Sequence, residues 1–292
     1  MTENARHLAV TKQTPALWWV TFNNPPINLI GPQMVAELRD LLTELENDDL
    51  VAAVVFESAD PDYFLAHWDI AADPAEVDAL PPGPTGFHPW LDILIRLSRL
   101  PAVTISAIRG RARGAGSEFA LATDIRFASR EKAVLGQFEL GTGAVPGGGP
   151  SSRLARLVGR GRALEILLGA NDFGGELAER YGYVNRAVPD AEFREFVDEF
   201  AVRISRFDVR AIDEIKQYVN AVTLPPDEEF PPQMAAFWAS VSRPETQDRA
   251  QQMFGLGLQK QGETELNLGA ALERIVVPPA VGRRSDAGQG SE

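Results

Sequence analysis

The stretch that decides the fold is Pro101-Ala-Val-Thr-Ile-Ser-Ala-Ile-Arg-Gly-Arg-Ala-Arg-Gly-Ala-Gly-Ser-Glu-Phe-Ala-Leu-Ala-Thr-Asp-Ile-Arg-Phe-Ala-Ser129. Its first part, residues 101–108, is a short apolar run that predicts a strand buried on both faces. A glycine-bearing turn follows, and then small residues predict a helix over 116–122. Residues 124–129 predict another strand. Strand, helix and strand in this order are typical of an α/β domain.

The same alternation extends upstream of this stretch. Residues 16–22 and 51–56 predict two more strands. Between them, a helix opens at Pro32 and repeats its apolar residues at the spacing of one buried face. Another helix is predicted over 91–100. Residues 63–70 read as a loop entering a helix, and the proline-rich stretch 71–89 predicts a mobile surface loop.

The last third of the chain is mostly helical in its pattern. Helices are predicted over residues 190–206, 209–222, 228–241 and 243–254. Their apolar positions, such as Phe237, Trp238, Met253 and Phe254, could pack on the core or on another subunit. We therefore divide the chain into an α/β core at 1–200, a helical region at 201–276 and a disordered tail at 277–292.

Composition excludes several classes of protein. The chain has 292 residues, 45% of them hydrophobic and 24% charged, which is typical of a globular protein. Its net charge of −13 argues against binding to nucleic acid or to an anionic membrane. It has no cysteine, and hence no disulfide or thiolate site. No apolar run is long enough for a membrane helix, and no secretory signal is visible, so we expect a cytoplasmic protein.

The familiar motifs of nucleotide, metal and serine chemistry do not occur in the sequence. The glycine-rich stretches 110–116 and 143–150 have neither G-x-G-x-x-G spacing nor the Lys-Ser/Thr of a P-loop. The three histidines are scattered without a ligand spacing, so metal catalysis is not expected. The nucleophile motif G-x-S-x-G is absent too.

Two glutamates beside the glycine-rich turns remain as candidates for chemistry. Glu118 lies in the first turn of the predicted small-residue helix, whose free amides and dipole favour a negative charge beyond the helix end. Glu139 precedes the second glycine-rich turn. Two carboxylates on facing elements can act as general acid and general base. A glutamate in a helix is more often simply solvated, so these residues by themselves leave catalysis open.

Several segments together resemble one known family. Gly114-Ala-Gly-Ser-Glu118, within residues 107–128, and Gly136-Gln-Phe-Glu139, within residues 136–149, are similar to the signature of the enoyl-CoA hydratase/isomerase (crotonase) family. Residues 24–30, 153–170 and 178–189 continue the match in the same order. The resemblance spans roughly residues 8–255.

The resemblance implies a fold, a ligand and a set of site residues. The fold would be an α/β spiral of repeated ββα units with a C-terminal helical region that forms trimers, or hexamers built from them. The ligand would be an acyl-CoA thioester, with no metal and no cofactor. The backbone amides of Trp68 and Ala115 would form an oxyanion hole, Glu118 would activate water, and Glu139 would supply a proton. The matching substrate-binding positions are Ala66, His67, Asp69 and Gly114.

Two features depart from the family pattern. The first oxyanion loop of the family reads F-x-A-G-x-D, whereas this chain has His67 at the glycine position. His67 is therefore either an added acid–base group or, as we favour, a residue that only shapes the loop. The family commonly has uncharged residues where this chain has Arg109, Arg111 and Arg113. These arginines could contact CoA phosphates or, as we slightly favour, form ion pairs at a subunit contact.

The predicted function is the hydration of a 2-enoyl-CoA to a 3-hydroxyacyl-CoA. Two alternatives stay open, because a fold does not determine a reaction. One is isomerisation, C–C hydrolysis or thioester hydrolysis on the same scaffold. The other is a catalytically silent protein that binds CoA or serves assembly.

Overall fold

Ten short strands form the framework of the protein, in a computed structural model that describes residues 6–73, 75–76, 79–81 and 83–276. They are β1 (Leu8–Thr14), β2 (Leu17–Phe22), β3 (Ala53–Ser58), β4 (Tyr63–Leu65), β5 (Val103–Ile108), β6 (Arg111–Arg113), β7 (Ile125–Ser129), β8 (Val134–Gly136), β9 (Phe173–Gly174) and β10 (Arg186–Val188). Six of them form one sheet in the order β1-β2-β3-β5-β7-β10. Only β1 and β2 pair antiparallel in that sheet.

A second sheet has the order β4-β6-β8-β9, and its first three strands are parallel. Each of β3, β5 and β7 in the large sheet is followed along the chain by a strand of the small sheet. A helix follows each of these strand pairs. This repetition is the ββα spiral that the resemblance implies.

Thirteen α-helices complete the described part of the chain. They are α1 (Pro32–Glu46), α2 (Pro89–Arg99), α3 (Ala115–Ala122), α4 (Glu139–Thr142), α5 (Pro150–Val158), α6 (Arg160–Gly169), α7 (Gly175–Tyr181), α8 (Asp190–Ile204), α9 (Val209–Thr223), α10 (Phe230–Val241), α11 (Pro244–Leu256), α12 (Glu263–Leu266) and α13 (Leu268–Leu272). Among the residues described, no helix is both long and apolar enough to cross a membrane.

The main core lies on the face of the large sheet that also carries α3. Phe119 of α3 packs edge-on against Phe22 of β2 and Phe56 of β3, with ring centroids 5.3 and 5.1 Å apart. All residues of α3 are buried, so its first turn is held inside the protein. This depth explains why the sequence of α3 is dominated by small and apolar side chains.

The opposite face of the large sheet is covered by α8. Phe193 and Val197 of this helix join a second cluster with Trp19 and Val55 of the sheet. Alternate residues of β2 and β3 therefore point into two different cores, which is why residues 17–20 and 53–56 are all apolar.

Two local predictions need correction. Residues 63–70 are not all loop, because Tyr63–Leu65 forms strand β4. The turn after β5 also contains a strand, Arg111–Arg113, which pairs with β4 and β8. Strands of three residues are too short to show a periodic pattern, and their partners are distant in sequence. Strand β1 was not predicted either.

The C-terminal helices fold back onto the core. Phe237 packs against the main core, and Met253 is buried in a cluster with Phe138. These contacts agree with the first of the two placements that the sequence allowed. Part of the loop 71–89 and the whole tail 277–292 lie outside the described residues. The division into 1–200 and 201–276 stays a prediction.

Candidate active site

Both candidate glutamates line one cavity of about 430 Å³. Trp68, Trp90, Phe138, Phe237 and Trp238 give it a largely aromatic wall. Its floor comes from α3 and α4, and its cover from α10 and α11. Glu118 and Glu139 are therefore polar groups in apolar surroundings, the setting in which a carboxyl group resists ionisation.

Glu118 lies in the first turn of α3 and accepts two hydrogen bonds. The indole Nε1 of Trp90 donates to Oε2 at 2.9 Å, and the backbone amide of Gly148 donates to Oε1 at 2.7 Å. Burial raises the pKa of Glu118, while these two donors oppose the rise. Burial outweighs the two donors, so the pKa of Glu118 stays above its ordinary value, and the N–H donors limit that rise.

Gly148 can approach Glu118 only because it has no side chain. A Cβ at this position would lie 2.1 Å from Oε2 of Glu118. Any other residue would push the carboxylate away from its present place. The glycine-rich turn after α4 thus donates a hydrogen bond to Glu118 through the backbone N–H of Gly148, and this contact leaves no room for a side chain at that position.

Glu139 has the opposite environment at the start of α4. Its Oε2 is buried and has no hydrogen-bond partner within the described structure. Burial and, after it, the negative charge of Glu118 raise the pKa of Glu139 to about 8. Glu139 is therefore protonated at neutral pH. One cavity thus presents one carboxyl group that accepts two N–H donors and another whose buried Oε2 has none, a difference in environment of the kind that separates a base from an acid.

The two amides of the predicted oxyanion hole both belong to residues that line this cavity. Ala115 is the first residue of α3, so its N–H has no partner within the helix. The carbonyl of His67 accepts from the amide of Ile30 at 2.9 Å. In a trans peptide the next N–H points the opposite way, so the Trp68 amide points away from Ile30.

Comparison with known proteins identifies the family. A family model described as enoyl-CoA hydratase/isomerase matches residues 12–253. This chain belongs to the enoyl-CoA hydratase/isomerase family. The match covers most of the range over which the sequence motifs follow one another.

Individual relatives have related names. The chain is 34% identical over 202 residues to the short-chain-enoyl-CoA hydratase of Clostridium acetobutylicum. This alignment covers 69% of this chain and 76% of that protein. It is 31% identical over 207 residues to a probable enoyl-CoA hydratase of Mycobacterium bovis, with coverages of 69% and 76%. A crystal structure from Streptomyces avermitilis, of a protein provisionally named an enoyl-CoA hydratase, matches with a TM-score of 0.88 and 46% identity. That match covers 95% of this chain and 100% of the other.

His67 occupies the family's glycine position without backbone strain. The non-glycine residues with positive φ in the described part of the chain are Asn28, Ala170 and Gln259, so the loop does not need a left-handed residue at His67. The imidazole lines the cavity on one side and is buried against Glu265 of α12, with Nε2 3.0 Å from Oε1. The choice between a loop-shaping role and an acid–base role for His67 stays a prediction.

The remaining predicted positions surround the cavity. Asp69 lines it and accepts a hydrogen bond from the side chain of Gln259. Ala66 and Gly114 are not among the described residues that form its wall. Gly114 precedes α3 with φ of 49°, and a Cβ there would lie 2.8 Å from Oε1 of Glu139. It contributes by leaving room for that carboxyl group.

The arginine cluster forms ion pairs inside the chain. Arg109 contacts Asp190 through two hydrogen bonds of 2.7 and 2.8 Å, and Arg113 contacts Asp172 at 2.6 and 2.7 Å. Arg111 donates to the carbonyl of Leu266. Arg109 and Arg113 thus form ion pairs, but with partners in the same chain and not at the subunit contact that we favoured. Their guanidinium groups are committed to these contacts, which argues against binding of CoA phosphates.

Sequence reasoning missed the partners of the glutamates. Nothing local in the sequence marks the indole of Trp90 as a donor to Glu118. The sequence allows Phe237 and Trp238 of α10 to pack on the core or on another subunit, and it does not indicate that they line the cavity. Glu265 gave no signal at all, since it lies far along the chain from His67.

Proposed function

We propose that this protein hydrates a 2-enoyl-CoA to a 3-hydroxyacyl-CoA. The observation that carries the proposal is the pair of buried glutamates in one cavity, one accepting two N–H hydrogen bonds and the other with a pKa raised to about 8. Addition of water across a double bond needs a base for the water and an acid for the carbon. Membership of the enoyl-CoA hydratase/isomerase family and the names of the relatives support the same reaction.

In the proposed reaction the thioester oxygen accepts hydrogen bonds from the amides of Trp68 and Ala115. Glu118 removes a proton from water, and the oxygen of that water bonds to Cβ. The electrons of the double bond move toward the thioester, whose oxygen gains negative charge that the two amides stabilise. Glu139 then transfers its proton to Cα. The net reaction adds one water to the substrate. Glu118 is left with a proton and Glu139 with a negative charge, and proton exchange with solvent returns both groups to their starting state.

The aromatic wall suits the apolar acyl part of such a substrate. Trp68 and Trp90 meet edge to face with ring centroids 5.9 Å apart. Phe237 and Trp238 complete the enclosure from α10. Apolar side chains of this kind favour contact with the acyl part of a substrate over contact with water.

A panel of acyl-CoA thioesters with mass detection tests this function. We expect 2-enoyl-CoA substrates to gain one water. A product of unchanged mass would indicate isomerisation, and release of free CoA would indicate thioester hydrolysis. Binding of CoA thioesters without any product would indicate the silent alternative. Each of these three results contradicts the proposal.

Several further properties are part of the proposal. The reaction as written needs neither metal nor cofactor. We propose a homotrimer or hexamer, which the exposed apolar side chains of Ile215, Tyr218 and Val222 on α9 support. Sedimentation analysis checks this, since a monomer at micromolar concentration would contradict it. The cytoplasmic location stays a prediction from the sequence, and fractionation of the source cells tests it.

A further inference from the structure

We propose that His67 and Glu265 form a buried imidazolium–carboxylate pair that positions the backbone around Trp68, and with it the N–H that this residue supplies to the oxyanion hole. The inference rests on the proposed function, because it gives the pair a role in that reaction. His67 lies in the oxyanion loop. Glu265 lies on the short C-terminal helix α12, which follows residue 253, where the family match ends.

The pair is almost fully shielded from solvent. His67 is 1% exposed and Glu265 is 0% exposed. The imidazole Nε2 lies 3.0 Å from Oε1 of Glu265, and Nδ1 lies 2.7 Å from the carbonyl oxygen of Trp68. Both ring nitrogens therefore face an oxygen at hydrogen-bond distance.

Counting protons determines the charge of the imidazole. A backbone carbonyl only accepts, and so does an ionised carboxylate. A neutral imidazole has a single N–H and can satisfy only one of them, whereas the imidazolium form satisfies both. The geometry therefore favours a positive His67 beside a negative Glu265.

The groups around Glu265 favour its ionised form. Burial opposes ionisation, but the hydrogen bond and charge of His67, the amide of Gln259 at 2.6 Å and the nearby Arg113 outweigh it and lower the pKa of Glu265. Tyr63 faces the same carboxylate and stays neutral, since burial and, after it, Glu265 raise its pKa to about 12. The other neighbour of the imidazole is the uncharged ring of Phe138, with centroids 5.2 Å apart.

These contacts hold the backbone on both sides of Trp68. The peptide that carries the Trp68 N–H is held through the carbonyl of His67, which accepts from the amide of Ile30 at 2.9 Å. The following peptide is held through the carbonyl of Trp68, which faces Nδ1 of His67, and through the amide of Asp69, which donates to the carbonyl of Ile30 at 2.8 Å. The side chain of Gln259 donates to the carboxylate of Asp69 at 2.8 Å. Gln259 has a φ of 63°, a strained conformation that the surrounding contacts must maintain.

The C-terminal segment is itself tied to the floor of the site. Arg113 donates to the carbonyl of Glu265 at 2.7 Å. Arg113 lies on β6, one residue before the Gly114 that precedes α3. The segment around α12 thus connects the strand that leads to one oxyanion amide, Ala115, with the loop that carries the other, Trp68. His67 and Glu265 are positioning residues, since neither is assigned a bond to the reacting atoms.

The charge of His67 can be measured directly. The chain has only three histidines, so the imidazole nitrogen signals of isotopically labelled histidine can be assigned by comparison with a His67→Gln variant. We expect both nitrogens of His67 to be protonated at neutral pH. In the Glu265→Gln variant, whose amide can accept or donate, we expect the neutral imidazole. A neutral His67 in the unchanged protein would overturn the proposal, and this measurement requires no variant of the pair to be stable.

Kinetics separates positioning from a merely structural role. Loss of one oxyanion donor costs about 10²–10³-fold in turnover, so a misdirected donor in Glu265→Gln should lower kcat by about 10–10²-fold. KM should change little, because the donor acts mainly on charge that develops in the transition state. Glu263→Gln is the matched control, since Glu263 lies exposed on the same helix and contacts only Asn267 among the hydrogen bonds of the described chain.

A double variant tests the coupling. His67→Gly should lower the melting temperature, because it leaves Glu265 buried without its partner. His67→Gly with Glu265→Gln should regain part of that loss. If Glu265→Gln keeps the kcat of an active unchanged protein, the positioning role is wrong while the proposed function stands. If the unchanged protein hydrates no enoyl-CoA, it is the proposed function that fails.

Discussion

The hydrogen bond from Trp90 to Glu118 offers a sharp test of the assigned base. In a Trp90→Phe variant the aromatic wall is largely kept, but the indole N–H at 2.9 Å from Oε2 is lost. Both side chains are buried, so water cannot readily replace the donor. A hydrogen bond to a charged group contributes about 1.5–3 kcal/mol.

This loss has a defined sign and size. The N–H of Trp90 lowers the pKa of Glu118, so its removal favours the protonated carboxyl. A change of about 1.5–3 kcal/mol lowers the ratio of carboxylate to carboxylic acid by about 10–150-fold. If Glu118 is the base, turnover at low pH falls by a similar factor. The deficit shrinks as the pH rises, because the carboxylate is then restored.

The assay is kcat/KM for a short 2-enoyl-CoA across a pH series, for the unchanged protein and for Trp90→Phe. Trp238→Phe is the matched control, since Trp238 lines the same cavity and its ring contacts His88 rather than either glutamate. We expect its effect to be small and independent of pH. A Trp90→Phe deficit that is equal at all pH values would refute the reasoning, because it would mean that the indole only shapes the cavity.

The remaining predictions concern the two glutamates and their surroundings. Glu118→Gln and Glu139→Gln should each lower kcat by about 10²–10⁴-fold with CoA binding retained, as stopped-flow turnover and calorimetry would show; near-normal turnover in either would remove its assigned role. Because the acid form of Glu139 has a pKa of about 8, kcat/KM of the unchanged protein should fall as the pH rises through about 8, and an activity that stays flat there would contradict a protonated acid. Gly148→Ala brings a Cβ to 2.1 Å from Oε2 of Glu118 and should lower kcat by about 10²-fold through misplacement of the base, whereas full activity would show that the carboxylate can move freely. Arg109→Gln should leave KM for the CoA substrate unchanged, since Arg109 is paired with Asp190 in an exposed contact of at most about 1 kcal/mol; a large rise in KM would restore it as a phosphate ligand.

Local pattern predicted the long elements well, for a physical reason. Strands β2, β3 and β5 are buried on both faces, so most of their residues are apolar and the strands stand out in the sequence. Helix α1 shows its buried face as a periodic repeat. In contrast, β4 and β6 have three residues each. Such strands exist because their neighbours in the small sheet provide partners, and no local signal announces them.

The motifs in the sequence identify the two glutamates as candidates, but they do not show that the two carboxyl groups have different surroundings. Glu118 and Glu139 are the same residue type beside similar glycine-rich turns. They differ because Trp90 and Gly148, which lie 28 and 30 residues away from Glu118, supply N–H donors to one of them. The other has burial and a neighbouring charge. A proton affinity is a sum over neighbours in space, so it cannot be read along the chain.

By itself the sequence determined the α/β class, the family and the positions of the two carboxyl groups, because these depend on apolar periodicity and on motifs whose residues are close together in the chain. Its three arginines and its His67 were left with open roles. Only the tertiary structure decided that Arg109 and Arg113 pair with Asp190 and Asp172, and that His67 meets Glu265 from 198 residues away. Charges and hydrogen-bonding groups acquire their roles from partners a few ångströms away, and the fold alone brings such partners together.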